Sequence, residues 1–413
     1  MKMNQIERER EIAIHLLRSG YTMREVAGKC KRSIAWVSKW QRRYEAEGWS
    51  GLAGQSRAPK RHGKKVSAAT VRAILRTRSE LEAEAARGEG LKYIGARAVR
   101  TRLKKKRLKR VPSRATIERV LQHGGMTRPY VRKAQPKAVK YPHLHPSHPH
   151  QLIQVDIVPH FLTGGSRLPC FNAIDVVSRY PTGQAFPQRR SLDAANFLIH
   201  VWQTIGIPHY TQLDNEGCFS GGATHPYIVG RVVRLALQVG TEVVFSPIYH
   251  PASNGSIERF HQDYDRHVWE DTYLHNQAHV NKQADQFFTA YRDSTHHSAL
   301  DEQSPHQVHL RIPPKKLAAS FVLTTHTLPL YAGRVHFMRK VDADQTITVL
   351  NAVWSVPFAS SDQGVWVTLE LAPSQTSLLV YDAAPDSTRR TLLATHPFPL
   401  TDVVLAHPET NAD

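Results

Sequence analysis

Residues 151–158 read Gln-Leu-Ile-Gln-Val-Asp-Ile-Val, an apolar run carrying one carboxylate, Asp156. A short run of this composition predicts a buried strand. A lone charge among such neighbours is costly, so Asp156 calls for a partner or a task. Downstream, Leu168 to Val177 and Thr182 to Phe186 read as two further strands, and Leu192 to Ile205 as a helix with an apolar stripe. His209 to Asn215 is a short strand ending on a second carboxylate, Asp214. A Gly-rich turn, a helix over His225 to Val239 and a strand from Glu242 to Phe245 follow. Ser246-Pro-Ile-Tyr-His-Pro-Ala-Ser-Asn-Gly-Ser-Ile-Glu258 is then a Pro/Gly/Asn loop entering a long helix, with a third carboxylate in its first turns. Strands and helices in this order predict an α/β core with a mixed sheet.

Upstream of this core the charge changes. Residues 1–150 carry 37 Lys and Arg against 11 Asp and Glu, whereas residues 151–413 carry 18 against 24. The asymmetry predicts a nucleic-acid-binding front attached to a region of different character. Residues 6–48 read as three short helices. Ile12, Leu16 and Leu17 give the first an apolar face, Thr22 to Glu25 has capping-box spacing, and Ser33 caps the third. On that third helix Ile34, Val37 and Trp40 recur at helical spacing, while Lys39, Arg42 and Arg43 lie on other faces. This resembles a helix-turn-helix over 1–52 with Ser33 to Tyr44 as recognition helix, although Lys31 stands where the turn often has glycine. A basic linker follows over 53–66. A second helix-turn-helix unit is expected over 67–124: a helix from Ser67 to Arg87, then Ile94 to Leu108, with Lys104, Lys105, Lys106 and Arg107 in KKKRLKR (104–110), and a capped helix after Ser113 bearing Arg114. Residues 125–149 read as a mobile Pro/Lys/His linker, and its histidines, His143, His145, His148 and the adjoining His150, are not taken as a metal site.

Past Ile312 the pattern switches to period two, with short alternating strands at close spacing, and predicts a small SH3-like β-barrel over 316–408. Arg334, Arg339 and Lys340 are its candidate contacts to DNA or other subunits, and because the region carries little positive excess a purely structural or oligomerising role stays open. The three cysteines, Cys30, Cys170 and Cys218, form no CxxC and support neither disulfides nor a cysteine zinc site. No signal peptide, membrane-spanning run or Walker loop is read, so membrane and nucleotide cofactor are not expected.

The carboxylates carry a family resemblance. Asp156 on a strand, Asp214-Asn215 ending a later strand, and Pro251-x-x-Asn254-Gly255-x-x-Glu258-Arg259-Phe260 entering a helix resemble the D, D and E of bacterial insertion-sequence DDE transposases of the retroviral-integrase superfamily. YRDSTHHSALDEQSP (291–305) is similar to the segment closing that domain, with Asp293 and His296 where relatives carry Asn and Arg. With the paired helix-turn-helix modules, the resemblance spans residues 6–310. It implies an RNase H-like catalytic core over 150–312, in which Asp156, Asp214 and Glu258 are the catalytic residues and hold two divalent ions. Those ions are Mg²⁺, for which Mn²⁺ substitutes, with Asp156 bridging both. Three converging carboxylates suit in-line phosphodiester attack, because the ions they bind stabilise entering and leaving oxygens.

Asn215 and Asn254 are supporting candidates, with His250 a lesser one, and Arg259 a DNA contact. Asp175, Glu216, Asp263 and Asp265 are competing acids, Asp175 being read as structural. The residues between Asp214 and Glu258 number 43. The surplus over about 35 in many relatives is placed in the turn from Cys218 to His225, where added length costs little.

The expected function is a DNA transposase that binds its element's terminal inverted repeats, frees 3′-OH ends and joins them to target DNA. Its implied partners are double-stranded DNA and further copies of the chain, in a bacterial cytoplasm on the nucleoid. Two alternatives remain at this level: a catalytically inactive DNA-binding regulator, and a nuclease that only hydrolyses.

Overall fold

The computed structural model describes residues 5–54, 66–88, 91–108, 110–127, 139–221, 225–247, 251–295, 297–323 and 327–407. Most of the expected linker 53–66, much of 125–149, His250 and His296 therefore lie outside the described residues. The chain divides into two compact units, Met1–Ser67 and Ala68–Asp413.

The first unit contains α1 (Gln5–Arg18), α2 (Met23–Lys29), α3 (Ile34–Glu47) and a 3-10 turn, Gly48–Leu52. Thr22 and Glu25 form the expected capping box, Thr22 N–H donating to Glu25 at 2.8 Å and Glu25 N–H to the Thr22 hydroxyl at 3.4 Å. Ser33 caps α3 by accepting from Trp36 N–H. Lys31 adopts φ +51°, the left-handed backbone its position in the turn demands. The core differs in detail from the expected one. Ala13 and Ile14, with Leu17, pack inward on α1 while Ile12 faces solvent, and on α3 Val37 and Trp40 are buried while Ile34 is exposed. A short helix buries only the stripe its neighbours cover, and Ile12 and Ile34 fall at its margins.

The second unit begins with α4 (Ala68–Ala86), α5 (Ala96–Lys105) and α6 (Arg114–His123), packed around Ile74, Leu81, Val99, Leu103, Ile117 and Leu121. Ser113 caps α6 through Thr116 N–H. These helices share a unit with the core: Lys92 N–H donates to His267 Nε2 at 2.8 Å, and Arg100 and Lys104 both pair with Glu302.

The core comprises β1 (Leu152–Phe161), β2 (Arg167–Asp175), β3 (Pro181–Ala185), α7 (Ser191–Thr204), β4 (Tyr210–Leu213), α8 (Gly217–Ser220), α9 (Arg231–Val239), β5 (Glu242–Phe245), α10 (Gly255–Tyr264), α11 (Gln277–Arg292) and α12 (Pro305–His309). The order is the expected one. The helix read over His225 to Val239 is instead confined to α9, because Gly230 starts it and the residues before it form a loop. Gly221 and Gly230 meet back to back, so that a Cβ on Gly230 would stand 2.7 Å from the Gly221 Cα. The turn from Cys218 to His225, to which the extra length between Asp214 and Glu258 was assigned, lies partly outside the described residues.

The C-terminal strands are β6 (Leu330–Tyr331), β7 (Gly333–Lys340), β8 (Thr346–Val349), β9 (Ala352–Ser355), β10 (Gly364–Leu371), β11 (Thr376–Tyr381), β12 (Leu392–Pro397) and β13 (Val404–Leu405). They do not form the expected separate barrel. One nine-stranded sheet runs β12-β11-β10-β7-β5-β4-β1-β2-β3. Strand β7 pairs parallel with β5, Val243 opposite Val335 and Phe245 opposite Phe337, and continues the core sheet. Period-two alternation reports strands but not their partners, and β5 offers an open edge that β7 fills. The apolar core is correspondingly continuous, joining Ile153, Val243 and Phe245 to Val335, Phe337, Val365 and Val367. The end of the expected mobile linker is also packed: Tyr141 and Leu144 lie against Trp366 and Met338. Gly364 permits this approach, since a Cβ there would stand 2.4 Å from the Lys140 carbonyl oxygen.

Candidate metal-binding active site

Strands β1 and β4 run parallel with Gln154 opposite Gln212. Asp156 and Asp214 each lie two residues further on, at the same level and on the same face as those glutamines. Asp156 and Asp214 thus stand just beyond the paired stretch of β1 and β4, Asp214 at the carboxyl end of its strand, where open α/β sheets commonly place their sites. The third, Glu258, sits in the first turn of α10, and a buried amide network fixes where that helix begins. Gln154 accepts from Ile257 N–H at 3.2 Å and donates to the Ser253 carbonyl. Gln212 donates to Asn254 Oδ1 at 2.7 Å and to the Ser246 hydroxyl at 2.9 Å. The strands that carry Asp156 and Asp214 therefore also hold the start of the helix that carries Glu258.

The charges of these groups bear on Asp156. Burial, then the charges of Asp214, Glu216 and Glu258, pushes the Asp156 carboxyl up to about 7. Burial likewise pushes Asp214 up to about 6, and Glu216 adds to this against the opposing pull of Arg189. Asp156 Oδ1 accepts from Ile157 N–H at 2.8 Å, and its Oδ2 lies 3.6 Å from His261 Nδ1. Burial pushes the His261 imidazole down to about 4. Glu216, a fourth acid at the site, is engaged by Arg189 at 2.7 Å. Asp156, Asp214 and Glu258 offer hard oxygen donors whose charges bear on Asp156, a donor chemistry that fits a divalent cation.

The other sequence candidates fall in different places. Asn215 accepts from Arg339 Nη2 at 3.0 Å and donates to the Ser246 carbonyl, tying the end of β4 to β5 and β7. Asn254 Oδ1 is taken by Gln212 and Ser246. Both supporting residues thus brace the backbone around the carboxylates. Arg339 also donates to the Thr348 carbonyl, and burial pushes its guanidinium down to about 10. Arg259 is largely exposed and reaches Asp263 at 3.3 Å. In the first unit Lys39 and Arg42 are exposed, whereas Arg43 lies over the Trp40 ring. In the second helical module Lys104 and Lys106 pair with Glu302 and Glu80, while Lys105, Arg107 and Arg114 are exposed.

Among the competing acids, Asp175 is fully buried and accepts from Val177 N–H, the Ser178 amide and hydroxyl, and His150 N–H, as a structural carboxylate does. With His150 and His309 it makes a compact trio. His309 is committed to the Ile205 carbonyl and the Ser178 hydroxyl, so the trio is knitted by hydrogen bonds. Gln154, Gln212 and His261 were missed in the sequence. A glutamine two residues before each aspartate of an apolar strand, and a histidine one turn after Glu258, were the signals available.

Residues 7–53 match the homeodomain-like domain family and residues 239–305 the integrase core domain family. Among solved structures the chain is similar to a simian T-cell lymphotropic virus intasome in complex with PP2A regulatory subunit B56 gamma. The identity is 14%, over 79% of this chain and 99% of that one, with a TM-score of 0.33. It is similar also to the BIV integrase catalytic core, at 18% identity over 39% of this chain and 95% of that one, TM-score 0.31. For the HTLV-2 integrase catalytic core in complex with magnesium the figures are 12%, 39%, 97% and 0.30. The chain thus joins a homeodomain-like helix-turn-helix domain to an integrase core domain, an arrangement consistent with an insertion-sequence transposase of the integrase superfamily. Among the described residues no helix is long and apolar enough to cross a membrane.

Proposed function

We propose that the chain is a DNA transposase that binds the ends of its own mobile element, cleaves to free 3′-OH groups and joins them to target DNA by transesterification. The reading is supported by the amide network that holds the start of the Glu258 helix against the strands of Asp156 and Asp214, and by the Asp156 carboxyl, which burial raises and which feels the charges of Asp214 and Glu258. The homeodomain-like and integrase core matches support it. In this reading Asp156, Asp214 and Glu258 hold divalent ions, Mg²⁺ or Mn²⁺, which when bound stabilise charge on the attacking and leaving oxygens of the phosphodiester. Asn215, Asn254, Gln154 and Gln212 keep the three carboxylates in register. The exposed Lys39 and Arg42, with Lys105, Arg107 and Arg114, meet DNA phosphates, and the element's two ends are brought together by more than one copy of the chain. Each transesterification exchanges one phosphodiester for another and needs no nucleotide cofactor.

The test is incubation of the full chain with labelled candidate element ends, a target plasmid and Mg²⁺ or Mn²⁺. Metal-dependent joined products are expected, and Asp214→Ala should abolish them while leaving end binding intact. Specific end binding with neither nicking nor joining in either metal would replace the reading with a catalytically inactive regulator. Nicked ends that never join would leave only a nuclease.

A further inference from the structure

We propose that His261 is a nitrogen ligand of the cation held by Asp156, so that the site favours borderline transition-metal ions over Mg²⁺ more than an all-oxygen site would. The inference rests on the metal-site reading above. Ile157 N–H occupies Asp156 Oδ1, which leaves Oδ2 as the oxygen available to an ion, and His261 Nδ1 is the nitrogen 3.6 Å from it. That separation is too long for a hydrogen bond. Two ligands each about 2.1 Å from one ion can span it.

His261 is only 9% exposed, and its Nε2 is buried with no hydrogen-bond partner. A buried imidazole whose Nε2 has no hydrogen-bond partner among the described residues, and whose Nδ1 faces a carboxylate oxygen across such a gap, is unexplained by packing alone. The sequence sets this up: His261 follows Glu258 by three residues on α10, so ring and carboxylate rise from one helix face. His160 of β1 and Asp265, one turn further along the chain, lie 3.2 Å apart, and their facing atoms are also buried without a hydrogen bond. Both bear electrostatically on the His261 ring. Imidazole suits borderline cations, whereas Mg²⁺ prefers oxygen.

The experiment uses the full chain with Mn²⁺ as probe, read by pulsed electron paramagnetic resonance for modulation from a directly bound nitrogen. Asp156→Asn marks which bound Mn²⁺ belongs to this site, and His261→Asn and His261→Gln are compared where circular dichroism shows native folding. Wild type should show nitrogen modulation on the Asp156-dependent Mn²⁺. Both His261 variants should lose it while still binding Mn²⁺, and Mg²⁺ should displace that Mn²⁺ about tenfold more readily than in wild type. Asp156-dependent Mn²⁺ without nitrogen modulation, or modulation surviving in both His261 variants, would overturn the inference and leave the metal site standing. Absence of any Asp156-dependent Mn²⁺ binding would remove the metal-site reading and this inference with it.

Discussion

At the scale of single residues, Asp156 and Asp214 are held in conditions that disfavour their own ionisation. Without a cation, burial and neighbouring acids raise both carboxyls, to about 7 and about 6. A carboxyl raised above its unfolded value lends stability that is fully present below pH about 4 and is lost as pH rises through the folded value. The metal-free chain should therefore weaken between pH 4 and 7. Asp156→Asn, which cannot ionise, should melt higher than wild type at pH 8, by up to a few kcal/mol, with the difference vanishing near pH 4. Thermal unfolding in chelator across that range is the check, and a variant less stable than wild type at pH 8 would contradict it. Each of the three acids drew attention in the sequence by interrupting an apolar or glycine-rich pattern, Asp156 within a strand, Asp214 at the end of one and Glu258 in the first turn of a helix. Glu216 was visible only as one competing acid among several, since nothing in a turn sequence says that its charge reaches back to Asp156.

At the scale of elements, the strands and helices of the core could be read in order, and the turn chemistry of the first unit down to the strained Lys31. What could not be read was tertiary use. Gln154 and Gln212 look like ordinary polar residues in strands, yet their amides meet across β1 and β4 and grip the start of α10. Gln212→Leu keeps the volume but removes the donor to the Ser246 hydroxyl and one of the two donors to Asn254 Oδ1, which should cost about 1–3 kcal/mol. It should also slow joining far more than it weakens DNA binding, because Glu258 loses its anchorage. Denaturant melts beside single-turnover joining rates would show this, and unchanged joining would mean that the network does not position the helix. The basic run at 104–110 carries a related lesson. It counted as DNA-binding only with the capped helix that follows it, and Lys104 and Lys106 are engaged by Glu302 and Glu80, which charge counting cannot see.

At the scale of the whole molecule, the expected modular C-terminal barrel gives way to a sheet that runs through from β3 to β12. The consequence is that Asn215, next to Asp214, is held by Arg339, more than a hundred positions away. A fragment ending at Ile312 would expose the β5 edge and strip Val335, Phe337, Val365 and Val367 from the shared core. It should express insolubly or lack a cooperative melting transition, whereas residues 68–413 should fold. A soluble, cooperatively folding fragment ending at Ile312 would restore the barrel as an independent domain.

The central claim is that three particular acids, out of the four crowded at this site, perform the chemistry. The most direct test compares Glu258→Gln with Glu216→Gln in single-turnover joining with Mn²⁺. Both remove one negative charge felt by Asp156, but Glu216 is engaged by Arg189. The account predicts a loss on the order of 1,000-fold or more for Glu258→Gln and less than about tenfold for Glu216→Gln. Activity that survives Glu258→Gln and collapses with Glu216→Gln would contradict it.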